Sequence, residues 1–250
     1  MLASLILTLA LLAQLVDKTT QPVPVHPPSD LTAERRGDIY MARKMYREAI
    51  DSYQDALKRE PRSCAVLNKI GIAHHQQLQF DAAQRYYERA IKANKDYSEA
   101  VNNLGTIYYA KRSYRRAISS YRKALNLSPE SASIHSNLGT AYFARKKYKE
   151  ASEEYSTALK LDPEIFEHRS SFGSLLQERN VQDRARFHYY MAKTYAAAGY
   201  FERALAYLRK ALEEGYKERD KIADEAEFAV LRDRPEFQEL MVSNVTVLPR

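Results

Sequence analysis

The chain has 250 residues, 45% of them apolar, and a formal net charge of +7, so it can bury a sizeable core while keeping a cationic excess that suits anionic partners. Only seven glycines and nine prolines occur, which excludes collagen-like and low-complexity classes, and the abundance of Ala, Leu, Glu, Lys and Arg points to an all-α chain. The single cysteine, Cys64, leaves no partner for an internal disulfide and no thiolate metal site; it is expected to be a small buried hydrophobe.

Residues 1–16 (MLASLILTLALLAQLV) are uncharged and strongly apolar. The run is shorter than the roughly 20 residues that span a bilayer, so it reads as the apolar core of an export signal, with cleavage after Ala13. An uncleaved short anchor, and a misjudged start or peripheral helix, are the alternatives. The favoured reading makes the chain exported, periplasmic or secreted, and the anchor reading tethers it to a membrane by this segment. Residues 17–29 (DKTTQPVPVHPPS) carry four prolines and little that could pack, and read as an extended linker.

From residue 30 a ladder begins. Gly37, Gly71, Gly105 and Gly139 lie 34 residues apart, as do Ala49, Ala83, Ala117 and Ala151; Tyr53, Tyr87, Tyr121 and Tyr155; and Ala56, Ala90, Ala124 and Ala158. A fixed period of this size marks a stacked-repeat solenoid, in which each unit buries its apolar face only against its neighbours. The repeats are 30–63, 64–97, 98–131 and 132–165, each with apolar residues on two helical stripes separated by a short turn, hence a pair of antiparallel helices A and B. In the third, helix A is predicted over 97–110 and helix B over 114–127. The small Gly and Ala columns mark close backbone approach, and the Tyr column fills the space between helices. Pro61, Pro129 and Pro163 recur where a helix must end; the second repeat has Lys95 there.

Residues 185–215 align with 132 onward, pairing His188 with His135, Ala192 with Gly139 and Tyr195 with Tyr142, but in a register shifted by nineteen residues. This predicts an insertion over 166–184 followed by a fifth repeat. A rival phasing keeps the 34 period, with Gly173, Ala185 and Tyr189 in the old columns; the Ser-Ser-Phe-Gly run and the better match favour the insertion. Residues 216–241 have apolar positions at helical spacing and Pro235 at a helix start, which predicts a terminal helical cap, and 242–250 form a tail. Asn244-Val245-Thr246 fits a glycosylation acceptor pattern that is common by chance.

Chemical motifs are lacking. There is no Gly-rich phosphate loop, no His-Glu-x-x-His, no Gly-x-Ser-x-Gly and no cysteine pair. His74 and His75 are adjacent and so face different ways on a helix. His135 and His188 share one apolar column and are expected to be packed, and Glu153 and Glu154 are expected on a solvated face near Lys149 and Lys160. No catalytic residue, metal site, cofactor or small-molecule substrate is indicated, and an enzyme is not expected.

The glycine at position 8 of each unit, a large aromatic at 11 (Tyr40, Tyr108, Tyr142, with His74 in the second), alanines at 20 and 27, the aromatic at 24 and the proline at 32 resemble the tetratricopeptide repeat (TPR). The usual tryptophan at position 4 is missing throughout. The resemblance covers 30–165 and implies a right-handed superhelix of helix pairs acting as a non-catalytic scaffold or adaptor, with the A helices lining a concave groove. It places Asn68, Ile72, His75, Asn102, Thr106, Tyr109, Ser136, Thr140 and Phe143 in that groove. There Asn and Thr can hydrogen-bond a peptide backbone, while Tyr109 and Phe143 offer aromatic anchors. The carboxylate clamp of some TPR domains is not present: Glu34, Asp38, Lys69, Glu99 and Asn103 stand at its positions.

A second reading comes from charge. The A–B turns are basic in three repeats, with Arg43, Lys44 and Arg47, then Lys111, Arg112, Arg115 and Arg116, then Arg145, Lys146, Lys147 and Lys149, while Gln77, Gln79 and Asp81 interrupt them in the second. Stacking would align these as a basic edge suited to an acidic protein or membrane headgroups, with nucleic acid the least favoured.

Overall fold

The structure, a computed structural model, describes residues 31–167 and 181–242. The apolar run at 1–16, the linker at 17–29, most of the expected insertion, the glycosylation pattern and the tail beyond Val242 lie outside the described residues. The described chain is all-helical and forms two compact parts, one ending at Pro61 and one beginning at Arg62.

The first part holds α1 (Ala33–Ala42) and α2 (Tyr46–Arg59), packed antiparallel. Thr32 caps α1 by accepting from the Arg35 backbone N–H at 3.3 Å. The Tyr53 ring fills the space beside Gly37, and its hydroxyl donates to Asp38 Oδ1 at 2.8 Å.

The second part repeats that hairpin four times: α3 (Cys64–Gln76) with α4 (Phe80–Ala93), α5 (Ser98–Ala110) with α6 (Tyr114–Leu127), α7 (Ala132–Ala144) with α8 (Tyr148–Leu161), and α9 (Val181–Ala197) with α10 (Phe201–Glu213). Each B helix also packs on the next A helix. Cys64, expected to be buried, is only half-buried because it opens α3. Helix α9 starts at Val181, so the last residues of the stretch expected as an insertion are already helical.

The columns of the ladder now have physical causes. A methyl group added at Gly71, Gly105 or Gly139 would stand 2.5, 2.7 or 2.7 Å from the ring of Tyr87, Tyr121 or Tyr155, so the glycine makes room for the tyrosine of its own hairpin. The last hairpin solves the same packing problem differently. Ala192 takes the glycine's place and Leu208 the tyrosine's, and both are fully buried.

The A–B turn is equally regular. Leu78, Arg112 and Lys146 have φ of 59°, 57° and 59°, and Gly199, in the equivalent place, has 83°. In each case the next residue's N–H reaches back over the turn, as Gln79 N does to His74 O at 2.9 Å and Tyr200 N to Tyr195 O at 2.9 Å. This is the left-handed helix stop that normally takes glycine. Three of these four turns hold it with a side-chain-bearing residue, at a conformational cost of about 1 kcal/mol each.

The C-terminal cap consists of α11 (Arg219–Ile222), a 3-10 turn (Ala226–Leu231) and α12, which begins at Pro235 as its spacing predicted. Ile222, Phe228, Leu231, Phe237 and Leu240 are buried and close the apolar end of the last hairpin. Tyr216 stacks on Tyr189 with ring centroids 4.2 Å apart, and Lys193 holds Glu225 at 2.6 Å and Glu227 at 3.2 Å. Burial works against the charge of Lys193, but the two carboxylates outweigh it and raise its pKa.

Candidate functional site

The residues assigned to the groove divide into two sets. Asn68, Thr106, Thr140 and Phe143 are buried, whereas Ile72, His75, Asn102, Tyr109 and Ser136 are half-buried. The buried set is occupied with internal work. The Asn103 amide donates to Asn68 Oδ1 at 3.0 Å, and one repeat on the Asn137 amide donates to Asn102 Oδ1 at 3.0 Å. These equivalent bonds tie successive A helices together, so the asparagines expected to face a peptide backbone instead fix one repeat against the next. Thr106 and Thr140 donate to the carbonyls of Asn102 and Ser136 at 3.3 and 2.9 Å and accept from the hydroxyls of Tyr121 and Tyr155 at 3.2 and 3.3 Å. They are the polar ends of the tyrosine column.

Phe143 is not a free anchor. It is 4% exposed, its ring 5.2 Å from Tyr148 and 5.6 Å from Phe187, because α9 closes over it. What remains accessible is a set of half-buried aromatics at the A–B turns of the first two hairpins of this part and between its third and fourth. His75 meets Phe80 edge-on at 5.8 Å, Tyr109 tilts against Tyr114 at 5.3 Å, and Tyr148 stacks on Tyr190 at 4.8 Å. Burial lowers the pKa of His75, so at neutral pH it adds a neutral ring to the series. Arg186 donates to the Tyr148 hydroxyl at 3.1 Å, with its guanidinium 5.6 Å over that ring. In the shifted register Lys193 stands in the column of Thr140 and Arg186 in that of Ser133, at the second position of the unit, so both were legible as groove residues, whereas Tyr190 aligns with Asn137 and only the packing brings it to Tyr148.

Other expectations are adjusted by the packing. His135 Nδ1 lies 2.6 Å from Glu154 Oε2 and its Nε2 3.0 Å from the Pro129 carbonyl, so Glu154 is engaged by a half-buried histidine and not by Lys149 or Lys160. His188 likewise meets Glu214 at 2.8 Å. Burial depresses the His188 pKa despite that carboxylate. Among the described residues no three His, Cys, Asp or Glu gather as metal ligands would.

Of the basic residues, Arg43, Lys44 and Arg47 belong to the first part of the chain. In the second, Lys111 is held by Asp81 Oδ1 and Gln84 Oε1, both at 2.7 Å, and Lys147 by Glu150 at 2.7 Å. Arg112, Arg115, Arg116, Arg145, Lys146 and Lys149 are exposed.

Hairpins of one size, stacked through a Gly–Tyr column and closed by a cap, define a helical repeat protein of the solenoid class. Profiles described as tetratricopeptide repeat match residues 31–96, 132–165 and 185–214, and one described as TPR repeat matches 105–144. The chain belongs to the tetratricopeptide repeat family. No curated protein matches it in sequence. Solved structures share the fold: a crystal structure of MamA is 21% identical, covering 76% of this chain and 97% of that one with a TM-score of 0.50. PilF of Pseudomonas aeruginosa is 18% identical over 83% of this chain and 86% of its own, with a TM-score of 0.55. A MamA fragment from Desulfovibrio magneticus RS-1 is 16% identical over 73% and 92%, with a TM-score of 0.51.

Proposed function

We propose that this chain is a non-catalytic scaffold that holds an extended segment of a protein partner along the A-helix side of its repeats. The observation that carries the reading is a set of half-buried aromatic pairs, His75 with Phe80 and Tyr109 with Tyr114 across equivalent turns, and Tyr148 with Tyr190 between successive hairpins. Rings already fixed by a neighbour lose little entropy on binding and offer apolar area with a polar edge, which is what an extended peptide needs from a rigid surface. The family's use of its A helices for peptide contact supports the same face. The proposal includes export directed by the apolar run at 1–16, which the mass of the mature N-terminus tests.

The direct experiment is capture of partners by the wild type and by a Tyr109→Ala, Tyr148→Ala variant, with helicity followed by circular dichroism. Capture should survive about 0.5 M salt, where the Debye length shrinks to a few ångströms, and should be lost in the folded variant. Undiminished capture by that variant would refute the reading.

A further inference from the structure

The A–B turns of the second part carry unbalanced charge. Residues 100–129 contain six cations and no carboxylate. The turns joining α5 to α6 and α7 to α8 are equivalent places on successive layers, and helix layers pack about 10 Å apart. Their cations therefore lie within about one or two Debye lengths of one another, so their fields add. Local carboxylates answer only part of this charge: Asp81 holds Lys111 and Glu150 holds Lys147. Among the described residues no carboxylate reaches ion-pair distance of Arg112, Arg115, Arg116, Arg145, Lys146 or Lys149, and all six are exposed. Arg116 is steadied with its guanidinium 5.9 Å over the Tyr108 ring. Such a cluster repels itself until an anionic surface is brought against it.

Beside it stands an apolar residue in an unfavourable place. Leu78, on the turn before α4, is 72% exposed and has φ of 59°. The hollow that Leu78 lines is also lined by Asp81 and Lys111, so its turn abuts the basic turn of the next repeat. The same column holds Arg112 and Lys146, where an exposed cation costs no apolar hydration, and Gly199, where the positive φ costs nothing. Leu78 bears both costs. An acidic polypeptide would answer the cations but leave Leu78 in water. A lipid surface answers both, with phosphates outermost and an apolar layer directly beneath them.

We propose that this rim is the surface on which the chain lies against an anionic phospholipid bilayer, the six cations among the headgroups and Leu78 entering the interfacial layer. It borders the aromatic pairs, since Phe80 lines the same hollow as Leu78 and Tyr109 and Tyr114 flank the turn that carries Arg112.

The test is flotation of the full chain with phosphatidylcholine vesicles, alone or with about one-third phosphatidylglycerol. The neutral vesicles measure whatever the apolar run at 1–16 contributes, so the rim is read from the increment on adding anionic lipid. Each cation near such a surface is worth about fivefold in partitioning, so Arg112→Gln, Arg115→Gln, Lys146→Gln should lower the anionic increment about a hundredfold. Leu78→Gln should lower binding to anionic vesicles about fivefold without altering its salt dependence. The charge-matched control Lys92→Gln, Lys160→Gln, Lys210→Gln removes three exposed cations elsewhere and should retain most of the increment. Equal binding to both vesicle types, an equal loss in the control, or capture of polyglutamate with no response to anionic lipid would each overturn the proposal.

Discussion

The hydroxyl of Tyr87 offers the sharpest check on how these repeats are held together. Tyr121 and Tyr155 donate to Thr106 and Thr140, but the equivalent residue in the second repeat is Ile72, and Tyr87, fully buried against a cluster that includes Ile72, has no hydrogen-bond partner among the described residues. A satisfied buried hydrogen bond contributes about 1 kcal/mol, whereas an unpaired buried hydroxyl costs about 1–3 kcal/mol. Tyr121→Phe and Tyr155→Phe should therefore each destabilise the protein by about 1 kcal/mol, while Tyr87→Phe should be neutral or stabilising by a similar amount. In the Ile72→Thr background Tyr87→Phe should become destabilising, since the hydroxyl then has an acceptor; a double-mutant cycle should show about 1–2 kcal/mol of coupling. Urea unfolding followed by far-UV circular dichroism measures all of these, and the contrast between Tyr87→Phe and Tyr121→Phe should be about 1–2 kcal/mol. Equal losses for all three phenylalanine variants, with no coupling to position 72, would refute the reasoning.

Two glycine columns should answer differently to the same change. Gly139→Ala forces the Tyr155 ring to move from a would-be contact of 2.7 Å and should cost about 3 kcal/mol, whereas Gly199→Ala meets no atom within 4 Å and should cost only the left-handed backbone, about 1 kcal/mol. Urea midpoints separate the two. Acid should loosen the C-terminal cap. Hydrogen bonds from Lys193 and Tyr189 hold the Glu225 pKa below its ordinary 4.5, so its contribution is full above that value and is lost as pH falls through the lower folded one. The stability gap between wild type and Glu225→Gln, open at about pH 6, should narrow toward about pH 3 in urea titrations; a constant gap would show that the carboxylate's charge is not what secures the cap.

Much of the fold was legible because its cause is periodic. The spacing of Gly105 and Tyr121 is set within one hairpin, so repetition in sequence reports it directly, and helix α6 occupies 114–127 as its pattern predicted. The residues between those columns were harder to place. Thr106 and Asn102 are four apart on one helix, yet Thr106 turns toward the tyrosine of its own hairpin and Asn102 toward the next repeat. Phe143 looked like an exposed anchor in a fourth repeat and proved to be the floor under α9, since the shifted register told which columns matched but not which helix would close over them.

By itself, then, the sequence determined the hairpin, its period, its helix stops and the cap that begins at Pro235, because each depends on contacts a few to some sixteen residues apart along the chain. The tertiary structure alone decided which polar residues face outward. That choice depends on how far each layer rotates on the one before it, and the rotation is set by side chains meeting across repeats, as Asn103 meets Asn68 and Asn137 meets Asn102.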